Sequence, residues 1–365
     1  MTKEALYYKI KRIPPIHQEV AVDTKDYLQN LAKPPGSLGE LEYIAQKISA
    51  ITGKQRNHLD KRCVLVFSAD NGVVKEGVAS GPQSITAAQT RNMLDGMTGV
   101  SVIAKHFHSD LMVIDVGIHD YVEHKDLIRR SIRRGTSNIA KQEAMSLNEV
   151  IQAVEIGIEM AEKAWKRGYQ VIGIGEMGIG NTTTSSAVLA ALLGLSIEEV
   201  RDVVGKGAGL TKSAYQKKIA VIETALLLNR PQKDDPIDCL QKVGGFDLAA
   251  MTGAYLGAAL FQLPVAIDGF ISIVAALCAA RLNPLVKDYL FASHCSHERG
   301  YVMAQNELGL NAVLHLDMRL GEGSGCPIMF EIMETACMVV RDMATFEKAQ
   351  INTDYLNPIR NQDAF

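Results

Sequence analysis

Residues 173–184 read Gly-Ile-Gly-Glu-Met-Gly-Ile-Gly-Asn-Thr-Thr-Thr, after an apolar run and before a helical pattern. Four glycines, Gly173, Gly175, Gly178 and Gly180, let a backbone approach a ligand closely. Asn181 and Thr182 have side chains suited to capping the following helix. The first N–H groups of that helix would face an anion, and a phosphate is the natural guest. A tight strand-to-helix turn without a ligand would need glycine as well. Gly173-x-Gly175-x-x-Gly178 also matches the dinucleotide-binding fingerprint, which requires an acidic residue about 20 positions on, at the end of a second strand. Glu198 and Glu199 have that spacing, but Leu195–Val200 reads as a helix start. An NAD-dependent oxidoreductase is therefore the weaker reading.

The second cluster is Met318-Arg-Leu-Gly-Glu-Gly-Ser-Gly325. Glu322 lies between glycines after an apolar run. A carboxylate there, beside apolar walls, would hold its proton more tightly and could act as a general base; the alternative is a solvated turn residue. Gly205-Lys-Gly-Ala-Gly209 could form another phosphate or ribose cradle, with Lys217 and Lys218 nearby. Helix packing would explain those glycines equally, and a solvated face the lysines. His294-Cys-Ser-His297, with His315 and Asp317, raises the question of metal. The spacing fits no closed zinc motif, so no metal is expected. Trp165 is expected on a helix face against the core.

These clusters need elements to position them. Short apolar runs at Val64–Ser68, Leu111–Ile114, Tyr169–Ile172, Val265–Ile267, Leu290–Ala292 and Ala312–Leu314 each end in small or polar residues. Helical spacing covers Leu147–Lys166, Thr183–Leu195 and Gly269–Arg281. Buried strands alternating with helices predict an α/β fold: a mostly parallel sheet with helices on both faces, binding ligands at the strands' carboxyl ends. Tyr27–Ile51 reads as helix around a break at residues 33–37, and Met329–Ala349 as one long helix. The expected division is residues 1–58 and 336–365 in a small helical domain, and 59–335 in a large α/β domain holding the site. Leu248–Ile267 has no charge over 20 residues. Pro264 and its glycines favour a buried helix followed by a strand over a membrane span.

The chain has 365 residues, 38 Lys+Arg against 41 Asp+Glu, and a net charge of −3. That balance argues against a general nucleic-acid binder. The six cysteines form no C-x-x-C pair and read as buried thiols of a reducing compartment. Residues 1–12 are charged, with no secretory h-region. A cytoplasmic protein without a cofactor is expected.

Taken together, the motifs resemble the nicotinate-nucleotide:dimethylbenzimidazole phosphoribosyltransferase family of cobalamin lower-ligand synthesis. They are Lys33-Pro-Pro-Gly-Ser-Leu-Gly39, Ala69-Asp-Asn-Gly-Val-Val74 with Glu76-Gly-Val78, Arg133-Arg-Gly-Thr136, Gly175–Thr183, Val243-Gly-Gly-Phe246, Ser293-His294 with Glu298, and Met318–Gly323. The resemblance implies Rossmann-like topology, a small helical domain from both chain ends, and a homodimer. The implied reaction moves phosphoribose from nicotinate mononucleotide to a nitrogen of 5,6-dimethylbenzimidazole. It implies Glu322 as general base. Glu176, the second catalytic candidate, could add a carboxylate near the developing cation; a loop hydrogen-bond acceptor would explain it equally. The nucleotide is expected against Gly175, Met177, Gly178, Ile179, Gly180, Asn181, Thr182, Gly205, Lys218, Ser296 and Gly323. The acceptor base is expected against Gly81, Gln89 and Leu320. The chain departs from the family pattern at Asn71, Gly81 and Tyr301, and the first two bear on the acceptor pocket. A phenol- or p-cresol-accepting relative, working as a heterodimer, is the alternative. An inactive partner subunit is a further one.

Overall fold

The computed structural model describes residues 2–356. Six parallel strands form, five from the expected apolar runs and β3 from outside them: β1 Arg62–Ala69, β2 Asp110–Gly117, β3 Ile128–Arg129, β4 Val171–Met177, β5 Val265–Ile267 and β6 Leu290–Ala292. Their order in the sheet is β3-β2-β1-β4-β5-β6. This is the doubly wound order in which the strand sequence reverses between β1 and β4, all strands staying parallel, and it opens a crevice beyond their carboxyl ends. β1 is buried along its whole length, as its unbroken apolar run requires. The register pairs Phe67 with Glu176 and Ser68 with Met177, so those residues reach the same rim.

Helices cover both faces. On one, the Leu147–Lys166 and Phe246–Leu260 helices cross closely. Gly157 lies against the Ala250 carbonyl and Gly253 against the Val154 carbonyl, where no side chain would fit. Leu147–Lys166 begins with a capping box between Ser146 and Glu149. On the other face, Gly173 lies against Cys326 and Phe330 of the Cys326–Asp342 helix. The charge-free stretch is thus a core helix and β5. Among the described residues, no helix is long and apolar enough to cross a membrane.

The Lys3–Ile10, Gln18–Gln29 and Glu40–Thr52 helices form the amino-terminal part. The Glu40–Thr52 helix packs on Cys326–Asp342, and Leu31 bridges antiparallel to Thr345. The turn between the second and third helices is anchored by a buried ion pair, Lys33 Nζ to Glu42 Oε1 at 2.8 Å. The carboxyl-terminal segment expected to join this part extends past residue 356, outside the described residues.

Several expected elements differ. The last long helix ends at Asp342 rather than Ala349, with Met343 already extended. Ala312–Leu314 is not a strand; only Leu314 bridges, to His294. Trp165 is 48% exposed and stacks on Phe261 instead of facing the core. Gly173–Met177 belongs to β4 rather than to a loop. Five of the six cysteines are buried, and all six are free thiols.

Candidate active site

The carboxyl ends of β4, β5 and β6 border a cavity of about 260 Å³. Gln89, Glu176, Met177, Gly178, Ile179, Asn181, Thr182, Ser296, Leu320 and Glu322 line it, so these expected site residues do converge. The other expected residues stand behind that wall.

Glu322 sits on a turn of three left-handed residues, Gly321 (φ +85°), Glu322 (+65°) and Gly323 (+89°). The flanking glycines adopt that conformation freely; glutamate does so only under constraint. Glu322 is 6% exposed, so it is not the solvated turn residue. Its Oε2 accepts the Val100 N–H at 3.0 Å, at the start of the Gly99–His106 helix. Burial raises its pKa above the usual carboxylate range; donors at Val100, Thr98 and Gly99 oppose that shift, and Asp268 adds to it. A raised pKa and a place in the cleft suit a proton acceptor.

Gly175 lies directly beneath. A Cβ there would strike the Glu322 carbonyl and sit 2.6 Å from the Gly323 nitrogen. Its glycine is required by this close approach of two backbones. Glu176 points into the cavity. Burial, and then the neighbouring Asp247, push its pKa up to about 8. That shift favours the protonated acid, while the Asn181 amide and the Glu322 N–H, both donating to Glu176, oppose it. Asn181 Nδ2 donates to Glu176 Oε2 and, at 3.1 Å, to Asp247 Oδ2. Burial raises Asp247 to about 6.

Asn181 therefore does not cap its helix. The cap position of Asn181–Leu193 is Gly180, at φ +92°, with no side-chain bond. The helix N-terminus still opens on the cavity, with its positive end toward any anion. Gly178 lines the cavity, and its lack of a side chain has a separate cause. Its φ is not left-handed, and a side chain there would meet the Ala69 carbonyl and Asp247 Oδ2 rather than a ligand.

Lys218 is fully buried and joins two of the glycine segments: its Nζ donates to Thr182 Oγ1 at 2.9 Å and to the Gly205 carbonyl at 3.1 Å. Burial lowers its pKa to about 8. Lys217 is exposed, as a solvated face predicts. Gly205 has no side chain because the Glu298 carboxylate lies across it; Glu298 Oε1 accepts the Gly207 N–H at 2.9 Å. Gly81 leaves room for Ile85, whose Cδ1 would be 2.5 Å from a Cβ at position 81. Ile85 then forms cavity wall beside Gln89. Asn71 is wholly buried under Gly178 and Gly245 instead of lining the cavity.

Sequence reasoning missed Asp268, His294 as a cleft residue, Glu298 as wall, and Arg319. Asp268 accepts the N–H groups of Gly323 and Gly325 at 2.9 and 2.8 Å. Its position immediately after a strand was the one available signal. Among the described residues, His294, His297, His315 and Asp317 form no cluster of three close ligand atoms. The group that does, His58, Asp60 and Glu334, lies before β1, at the opposite rim. Glu198 and Glu199 sit in a short 3₁₀ helix capped by Ser196, not at a strand end, so the dinucleotide fingerprint is incomplete. A smaller cavity, about 160 Å³, adjoins β6, where the Lys47 ammonium is engaged by the Leu290 carbonyl at 2.6 Å.

Fold and site define a doubly wound α/β enzyme with buried acids and an anion-seeking helix N-terminus at its switch point. Residues 13–351 match the family described as phosphoribosyltransferase. A Clostridium perfringens protein named nicotinate-nucleotide–dimethylbenzimidazole phosphoribosyltransferase is 49% identical over 356 residues, 98% of each chain. An Acetivibrio thermocellus protein of the same name is 44% identical over 346 residues, 95% of this chain and 98% of its own. The crystal structure of CobT from Thermus thermophilus aligns with a TM-score of 0.87 at 35% identity, over 92% of this chain and 99% of that one. The chain belongs to this phosphoribosyltransferase family.

Proposed function

We propose that the chain transfers ribose 5-phosphate from nicotinate mononucleotide to a ring nitrogen of 5,6-dimethylbenzimidazole, releasing nicotinate and forming α-ribazole 5′-phosphate. The observation that carries this reading is Glu322, buried in the cleft and held at a helix N-terminus. As nicotinate leaves, the sugar carbon gains positive character. The lone-pair nitrogen of the acceptor attacks it, and the N–H proton of the other ring nitrogen passes to Glu322. Such a base contributes about 10²–10⁴-fold.

The phosphate rests at the start of Asn181–Leu193, near Thr182, Gly207 and Ser296, with the Lys218 ammonium behind Thr182. Its binding energy orients the sugar for the reaction. Glu176 accepts the Asn181 amide at the edge of the cleft and so helps fix the start of the Asn181–Leu193 helix. Ile85 and Leu320 form the apolar side where the acceptor ring lies, with the Gln89 carboxamide beside them. The high coverage by relatives bearing this enzyme's name supports the substrate pair. The same reading includes a homodimer, a cytoplasmic location suited to six free thiols, and a small helical domain to which the described parts of residues 1–58 and 336–365 contribute.

The test is a transfer assay with purified chain, nicotinate mononucleotide and a panel of benzimidazoles, purines and phenols, in buffer containing a chelator. Mass spectrometry should find α-ribazole 5′-phosphate as the dominant product. Transfer to phenols alone, or activity only after zinc or magnesium is restored, would overturn it.

A further inference from the structure

The Glu322 turn does not hold itself. Residues 321–323 all have positive φ, and the central one is not glycine. Within the turn, Ser324 N–H reaches the Gly321 carbonyl at 3.0 Å, and Cys326 N–H the Gly323 carbonyl at 3.1 Å. Neither bond involves Glu322. The support comes from a different part of the chain. Asp268, 2% exposed, accepts Gly323 N–H with one carboxylate oxygen and Gly325 N–H with the other. Charge-assisted bonds of this kind are stronger than neutral ones.

Asp268 is itself fixed to the sheet. It follows β5, and its N–H donates to Ser272 Oγ at 3.2 Å. Ser272 Oγ in turn donates to the β4 carbonyl of Ile174 at 2.8 Å. The line from sheet to turn is continuous: β4, Ser272, Asp268, Gly323, Glu322. At the far end, Val100 N–H holds the Glu322 carboxylate. Val100 sets the side chain; Asp268 sets the backbone at Gly323 and Gly325, with Glu176 taking the Glu322 N–H.

We propose that Asp268 is a positioning residue of the transferase, holding the strained turn so that Glu322 meets the acceptor's N–H. This rests on the function proposed above. With both oxygens on loop amides, Asp268 acts through Glu322 rather than on substrate.

The test is Asp268→Asn. An amide presents one oxygen, and its nitrogen would face a loop N–H, donor against donor, so one of the two bonds is lost. The kcat for transfer should fall by about 10-fold or more, as losing a charge-assisted bond implies. The KM for nicotinate mononucleotide should move little. Around Glu322 the ionisable groups are Asp268, Glu176 at the end of β4, His294 and Glu298 after β6, and Arg319 on the loop. The Thr98–Val100 turn adds a hydroxyl and N–H donors. Asp268 raises the proton affinity of Glu322, so its loss should shift the acid limb of kcat/KM to lower pH. A merely structural role would not move that limb.

The decisive arm is the double variant. In a Glu322→Gln background, Asp268→Asn should cost nothing further in kcat, since groups acting as a unit are not additive. Hydrogen–deuterium exchange of residues 318–326 should quicken in Asp268→Asn. Should that variant not fold, Asp268→Glu, with the charge kept and the oxygens displaced, is measured the same way. Wild-type kcat with unchanged exchange would overturn the proposal, as would a full additive loss in the double variant. If the wild type transfers nothing to dimethylbenzimidazole, the functional reading fails, and exchange alone decides the role of Asp268 in the turn.

Discussion

Gly175→Ala is a one-carbon change outside the cavity, yet it should slow the chemistry. The added Cβ would stand 2.6 Å from the Gly323 nitrogen, where ordinary contact begins at 3.4 Å. The Glu322 turn must therefore retreat by about 0.8 Å, since β4 lies in the middle of the sheet and cannot yield easily. A displacement of about 1 Å in a reacting group costs on the order of 10²-fold in rate. Overpacking of this kind also destabilises by about 1–3 kcal/mol. Steady-state transfer with dimethylbenzimidazole should show kcat down by about 10²-fold. Calorimetric titration should show nicotinate mononucleotide still binding, because the phosphate-facing segments lie on the other side of β4's end. A variant with wild-type kcat would show that the turn tolerates displacement, and would refute the argument that Glu322 must be held to within an ångström.

Lys218→Met keeps the length of a buried side chain and removes its charge; the Kd for nicotinate mononucleotide should rise about 10-fold or more, read by titration calorimetry. Because burial lowers Lys218 to about 8, wild-type affinity should weaken as pH rises through that value, where the ammonium loses its proton. Lys33→Met leaves the Glu42 carboxylate buried without its partner; urea unfolding should report a loss of about 3 kcal/mol or more, with kcat nearly unchanged in the folded fraction.

Much of this is legible in the residues. Buried strands are short apolar runs, and five of the six proposed runs are strands because both faces of the sheet are covered. The sixth, Ala312–Leu314, has the composition of a strand but only His294 to pair with, and its residues are half-buried. The last helix is shorter than its pattern predicts because Met343–Ala349 keeps helical residue types, while its chain turns away to bridge Leu31. Glu322 is visible because its flanking glycines mark a special backbone. Asp268 is not, because its role depends on amides 55 and 57 residues away. The same holds for Val100, 222 residues from the carboxylate it contacts. Asn181 has the right type for a cap, but two buried carboxyls outcompete the helix for its amide. Gly178 lines the cavity, but what excludes a side chain there is the protein's own Ala69 and Asp247, which the sequence does not reveal.

The central claim is that Glu322 accepts the proton during phosphoribosyl transfer, and Glu322→Gln tests it most directly. Glutamine keeps the shape and can still accept the Val100 N–H, but it cannot take a proton near neutral pH. With nicotinate mononucleotide and dimethylbenzimidazole, kcat should fall by about 10²-fold or more while nucleotide binding persists. Burial raises the pKa of Glu322, so the wild-type kcat/KM should decline on the acid side as that carboxylate protonates, and the variant should lack that limb. Both proteins are compared with the same acceptor, since the base itself titrates nearby. A variant that keeps near wild-type kcat and the same acid limb would contradict the account.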